Sequence, residues 1–102
     1  MSEIVIGICD DEIVAVQQIE KIVTDYLEKV KKEAWILLFQ SGKELLEHIE
    51  KLNILFLDIE MPEIDGIEVG KIIGKRNRDC KIIYLSLKEK QRQILYGEKG
   101  KE

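Results

Sequence analysis

Short apolar runs alternate with stretches of helical periodicity along this chain. Ile4 to Cys9 is a continuous apolar run broken only by Gly7, the pattern of a strand buried on both faces. Ile13, Val16, Ile19, Val23, Tyr26, Leu27 and Val30 then recur at spacings of three and four, which predicts one long amphipathic helix. Asp11, just before it, suits the positive end of the helix dipole. Trp35 to Phe39 is a second apolar run, and Ser41 with Glu44 three residues later is a capping-box signature for a helix carrying Leu45, Leu46 and Ile49. Ile54 to Leu57 predicts a third strand ending at Asp58, after which Pro62 and Gly66 punctuate a loop. Ile67, Gly70 and Ile73 fit a shorter helix that breaks near Gly74, and Lys81 to Leu85 predicts a fourth strand. The order is β-α-β-α-β-α-β. Helices between buried strands are the crossovers of a parallel sheet, right-handed by default, so the expected fold is an α/β open parallel sheet with helices on both faces.

Composition narrows the picture. A chain of 102 residues is one domain, and it buries roughly two thirds of its unfolded surface. An apolar share of 45% excludes wholesale disorder. The net charge of −4 argues against nucleic acid as a direct partner, since phosphate backbones select a surplus of Lys and Arg. No stretch approaches the ~20 apolar residues of a membrane span. Met1-Ser2-Glu3 lacks the basic region of a signal peptide. Cys9 and Cys80 are far apart without metal-ligand spacing, which suits reduced thiols in a cytoplasmic protein.

Candidate chemistry gathers at the predicted strand ends, where open parallel sheets bind ligands. The first strand ends in Cys9-Asp10-Asp11-Glu12, the third in Leu57-Asp58-Ile59-Glu60, the fourth in Leu85-Ser86. If the first and third strands are neighbours, about 4.8 Å apart, then Asp10, Asp11 and Asp58 converge. Two carboxylates about 4 Å apart repel by roughly 4 kcal/mol near a protein surface, so three together raise one another's pKa or recruit a cation. Mg2+, a hard ion that takes carboxylate, water and phosphate oxygens, answers that need. The bland reading is that the acidic residues only cap helices and loops. A carboxylate beside such an ion can act as a nucleophile toward phosphorus. Asp58 is the natural acceptor, and Ser86 could donate to a phosphoryl oxygen.

These residues resemble the receiver domain of two-component response regulators. Ile8-Cys9-Asp10-Asp11-Glu12 is similar to the family's acidic pair. Leu55-Phe56-Leu57-Asp58-Ile59-Glu60-Met61-Pro62, with Asp65-Gly66 just after, resembles its phospho-acceptor strand and loop. Ile82-Ile83-Tyr84-Leu85-Ser86 is similar to its fourth strand and terminal hydroxyl. Phe39-Gln40-Ser41-Gly42 before Glu44-Leu45-Leu46 resembles the subgroup whose receivers precede a LytTR-type DNA-binding domain. The resemblance implies a flavodoxin-like sheet of order 2-1-3-4 and a phosphoryl group accepted on Asp58 from a sensor histidine kinase. It implies a Mg2+ site in which Asp11 binds directly, Asp10 largely through water, Asp58 as the acceptor and Glu60 through its carbonyl. Ser86 would be the switch hydroxyl. Such a domain is a phospho-acceptor rather than an enzyme, at most catalysing its own phosphorylation and dephosphorylation.

The chain departs from that pattern after Ser86. Its single proline is Pro62, so the family's Lys-Pro pair is absent. The sixteen residues after Ser86 are too few for another helix, a strand and a last helix. Tyr96 is a weak stand-in for the family's fifth-strand aromatic, and Lys99 or Lys101 for its lysine. We therefore expect a truncated receiver over residues 1–87. Residues 88–102 form an atypical tail of five basic and three acidic residues, partly disordered or swapped with a partner. The fifth strand and last helix are expected to be missing or replaced. An uncovered fourth strand predicts a homodimer or swapped assembly through its edge. His48, among Glu44, Glu47 and Glu50, reads as a surface residue, Trp35 as packing, Cys9 as a small buried hydrophobe and Met61 as a loop-shaping residue. Two further readings compete. One is a degenerate, phosphorylation-independent interaction module. The other is an aspartyl phosphatase with Glu60 as general acid, for which no cap domain or following threonine is present.

Overall fold

A computed structural model describes residues 3–61, 64–88 and 91–95, those from Ser86 onward by their backbone. Strand β1 (Ile4–Cys9) leads through Asp10, Asp11 and Glu12 into helix α1 (Ile13–Val30). Strand β2 (Ala34–Phe39), helix α2 (Gly42–Leu46), a 3-10 turn (Ile49–Lys51) and strand β3 (Ile54–Asp58) follow. Helix α3 (Gly66–Arg76), strand β4 (Lys81–Lys88) and strand β5 (Gln91–Leu95) complete the order. The sheet runs β2-β1-β3-β4-β5. The first four strands are parallel, in the expected order 2-1-3-4, and β5 is antiparallel to β4.

Each element follows from local chemistry. Ser41 Oγ accepts from the Glu44 amide at 3.1 Å and caps α2. The Glu44 carboxylate reaches back to the Gln40 amide, so the capping box forms one residue out of register. The helix is shorter than its apolar spacing predicts, and Ile49 is carried by the 3-10 turn instead. Helix α3 runs past Gly74 to Arg76, because an isolated glycine weakens a helix without ending it. Its end is tied down by Asn77, whose Nδ2 donates to the carbonyls of Ile49 and Leu52. Helix α1 stops at Lys31, a non-glycine residue in the left-handed region (φ 59°), whose amide closes the last turn on Glu28.

Two apolar clusters sandwich the sheet. On one face Leu45, Ile49, Val69 and Ile73 pack on Cys9, Leu55 and Leu57. On the other, Val16, Ile19 and Val23 of α1 pack on Ile6, Ile8 and Leu85.

Several expectations are corrected here. Strand β4 does not present a free edge. It continues to Lys88, and after a two-residue connection β5 pairs with it from Lys88↔Gln91 to Tyr84↔Leu95. An antiparallel partner needs no long crossover, which is how so short a segment completes the sheet. Assembly through an exposed strand-four edge is therefore removed. Trp35 is not a packing residue. It lies on edge strand β2, is 60% exposed, and donates its Nε1–H to Glu3 Oε1 at 3.0 Å. His48 is half-buried rather than on the surface, its ring 5.6 Å from that of Phe39. The readings placed on Pro62, Tyr96, Lys99, Lys101 and the Ser86 side chain fall outside the described residues. Among the described residues no helix is long and apolar enough to cross a membrane.

Candidate phosphoryl and metal site

Asp10 and Asp58 sit one step beyond the last paired residues of adjacent strands, since Cys9 is in register with Leu57. Backbone bonds prolong the sheet to hold them: Asp10 N–H donates to Phe39 at 3.1 Å and Ile59 N–H to Leu85 at 3.1 Å. The two carboxylates are oriented alike. Asp10 Oδ1 accepts from the Glu12 amide at 3.0 Å, and Asp58 Oδ1 from the Glu60 amide at 3.2 Å. Each is an Asx turn, in which a side chain binds the backbone two residues on. The exposed Asp11 joins these two buried residues, and oxygens of all three lie within 4.8 Å of one another. The expected convergence of Asp10, Asp11 and Asp58 is present.

Residues 58–61 and 64–66 flank the notch. Gly66 does not punctuate a loop but opens α3, donating its amide to Ile59 at 2.9 Å. Asp65 caps the helix, accepting from Ile67 N–H at 2.9 Å. A β-carbon on Gly66 would lie 2.4 Å from the Asp58 carbonyl oxygen and 2.6 Å from the Ile59 Cα. Only glycine lets the helix rest directly on the acceptor strand. Glu60 and Asp65 form a bridge across the mouth of this segment. The Glu60 carboxylate does not belong to the three-carboxylate group, so its expected contribution rests on its carbonyl. Ser86 follows Leu85, which is in register with Asp58, so its backbone lies at the same end of the sheet.

The site's electrostatics are visible in its floor. The buried Cys9 thiol is pushed up from 9.0 to about 12, first by burial and then by Asp10, Asp58, Glu44 and Asp11. Its sulfur lies 3.7 Å from the Ser41 carbonyl and 3.8 Å from Met61 Sδ, so Met61 packs beneath the notch. A crowd of carboxylate oxygens, two of them desolvated, is a hard-donor set suited to a divalent cation and unsuited to soft metals. Glycine packing at Gly66 and the Cys9–Met61 floor escaped sequence reasoning. The only sequence signal for the first was Asp65-Gly66, which also reads as a turn.

Comparison with known proteins agrees with this geometry. The response regulator receiver domain family matches residues 6–98, a span that includes β5. The chemotaxis protein CheV2 of Helicobacter pylori is 35% identical over 83 residues, 76% of this chain and 25% of that protein. The response regulator SaeR of Staphylococcus aureus is 33% identical over 58 residues, 56% of this chain and again 25% of its own. The chain thus spans about a quarter of these curated relatives. A CheY-like receiver domain from Methanospirillum hungatei superposes with a TM-score of 0.71 at 22% identity, over 83% of this chain and 65% of that one. TrrA of Thermotoga maritima, in complex with Mg2+-BeF, superposes with a TM-score of 0.63 at 31% identity, over 84% and 71%. With a receiver sheet, its three converging aspartates and a family match over most of its length, this chain belongs to the response regulator receiver domain family.

Proposed function

We propose that the chain accepts a phosphoryl group on Asp58 from a sensor histidine kinase, in a Mg2+-dependent reaction in the cytoplasm. The observation that carries this is the meeting of Asp10, Asp11 and Asp58 within 4.8 Å at the end of the acceptor strand. When bound, Mg2+ supplies the positive charge that offsets both the carboxylate crowding and the incoming phosphoryl oxygens. Asp11 and Asp58 would hold it through side-chain oxygens, Asp10 largely through water, and Glu60 through its carbonyl. TrrA, similar in sequence and fold, is itself seen with Mg2+-BeF.

The chain's own residues supply position more than acid–base chemistry. The Glu60 amide restrains rotation of the Asp58 carboxylate. An Asp58 oxygen forms the new O–P bond as the N–P bond of a phosphohistidine donor breaks. The bonding pair returns to the donor imidazole, which takes its proton from solvent. Ser86 is assigned the switch hydroxyl that donates to a phosphoryl oxygen. The resemblance of the Phe39–Gly42 segment supports placing the module in the LytTR-linked subgroup.

Incubation with acetyl phosphate and Mg2+, read by intact mass, tests the proposal. The expected result is one phosphoryl adduct on the wild type, absent without Mg2+ and absent in Asp58→Asn. No adduct on the wild type overturns it and leaves the phosphorylation-independent docking module.

A further inference from the structure

The residues that flank the notch are joined by a clasp. Glu60 and Asp65 face each other as an antiparallel bridge. The bond that closes it runs between their neighbours, from the Gly66 amide to the Ile59 carbonyl at 2.9 Å. A bridge closed in this way is a non-hydrogen-bonded pair, whose members turn their own N–H and C=O to the outer side. For Glu60 the outer side is the notch, since its N–H donates to Asp58 Oδ1 at 3.2 Å. N–H and C=O of one extended residue leave the backbone in the same direction, so the Glu60 carbonyl is turned that way too.

Asp65 holds the other half of the clasp. Its backbone is extended (φ −71°, ψ 127°), and its carbonyl accepts from Val69 N–H at 3.0 Å to begin α3. Its Oδ1 accepts from Ile67 N–H at 2.9 Å, a cap that fixes where the helix starts. That start matters because Gly66, the first helical residue, is packed on the backbone of Asp58 and Ile59 with no room for a β-carbon. We propose that Asp65 is a positioning residue for Mg2+ at Asp58. The cap anchors the first turn of α3, the first turn anchors the Gly66–Ile59 bond, and that bond aims the Glu60 carbonyl at the notch. This rests on the Mg2+ reading above and adds to it a residue that acts through Glu60. Asp65 is exposed and is not one of the three converging carboxylates. Its part is geometric, so a neutral side chain with an acceptor oxygen should serve as well as the carboxylate.

Titration calorimetry of the full chain with Mg2+ alone tests the proposal. Asp65→Ala should bind Mg2+ about tenfold more weakly than the wild type, the loss typical when a group that orients a metal ligand is removed. Asp65→Asn keeps the capping oxygen and should bind as the wild type does. Asn77→Ala is the control for a merely structural role. It unties the opposite end of the same helix, where Asn77 Nδ2 donates to the Ile49 and Leu52 carbonyls, and should lower stability while leaving Mg2+ affinity unchanged. In metal-free protein, hydrogen exchange at the Gly66 and Ile67 amides should speed up in Asp65→Ala and not in Asp65→Asn. Asp65 is exposed, so both of its variants should keep the circular dichroism of the wild type. Wild-type Mg2+ affinity in Asp65→Ala, an Asp65→Asn protein as weak as Asp65→Ala, or an equal loss in Asn77→Ala overturns the positioning role alone. A wild type that binds no Mg2+ overturns the Mg2+ reading itself, and this role with it.

Discussion

On the face covered by α2 and α3, the helices lie close to the sheet because glycines remove the side chains that would hold them off. Gly66 rests on the backbone of Asp58 and Ile59, and one turn later Gly70 leaves room for the Tyr84 phenol, which a β-carbon would meet at 2.2 Å. On the opposite face α1 carries bulky residues all round, burying one side and leaving another bare. The first arrangement brings helix backbone directly against the strand that ends in Asp58. The second is looser cover with spare apolar surface. The three aspartates thus lie beside the face where backbone approaches backbone, while α1 keeps exposed apolar side chains.

Substitutions sharpen that contrast. The largest effect is expected at Leu55, fully buried on the α2–α3 face, where Leu→Ala should cost about 2–5 kcal/mol. Ile22→Ala on the bare flank should stay within about 0.5 kcal/mol. Denaturant unfolding of the two variants at matched low concentration checks the difference. Gly66→Ala should follow at about 1–3 kcal/mol, because the clash is with backbone that cannot swing aside. It should also weaken Mg2+ binding by Asp58, measured by titration calorimetry, and a Gly66→Ala protein binding Mg2+ as the wild type does would break the link between packing and site.

The floor of the notch makes a pH prediction. Cys9 holds its proton more tightly when folded than when unfolded, rising from 9.0 to about 12. Stability from this group is therefore complete below pH 9.0 and lost as pH climbs toward about 12. Between those limits the unfolded chain sheds the proton first, and the loss approaches about 1.4 kcal/mol per pH unit. Cys80, raised to about 11 by burial, adds to the same slope. Melting curves from pH 8 upward should show a shallower decline for Cys9→Ala than for the wild type. The smallest effect is at Gly74, whose added β-carbon meets nothing within 4 Å. Gly74→Ala should stabilise the helix by about 0.5–1 kcal/mol, in contrast to its neighbour one turn away.

Much of this was legible before any coordinates. Strands buried on both faces write themselves as unbroken apolar runs, and an acidic residue at the end of such a run falls at the C-terminal end of its strand. Asp10 and Asp58 could therefore be placed from Ile4–Cys9 and Ile54–Leu57 alone. Strand β5 was hidden because Gln91-Arg92-Gln93-Ile94-Leu95 has neither an unbroken apolar run nor a turn signal before it, and a hairpin partner needs only backbone. The exposure of Trp35 depends on β2 being an edge, a fact of sheet order rather than of composition. The roles of Gly66 and Gly70 depend on what approaches them from elsewhere in the chain, which local spacing does not encode.

The sulfur pair beneath the aspartates has one more consequence. Peroxides attack thiolate, and burial first, then the carboxylates that would gather a cation, keep Cys9 in its unreactive, protonated form. The Cys9 thiol is therefore a poor target for peroxide near neutral pH, which leaves the Met61 thioether as the oxidisable sulfur of the pair.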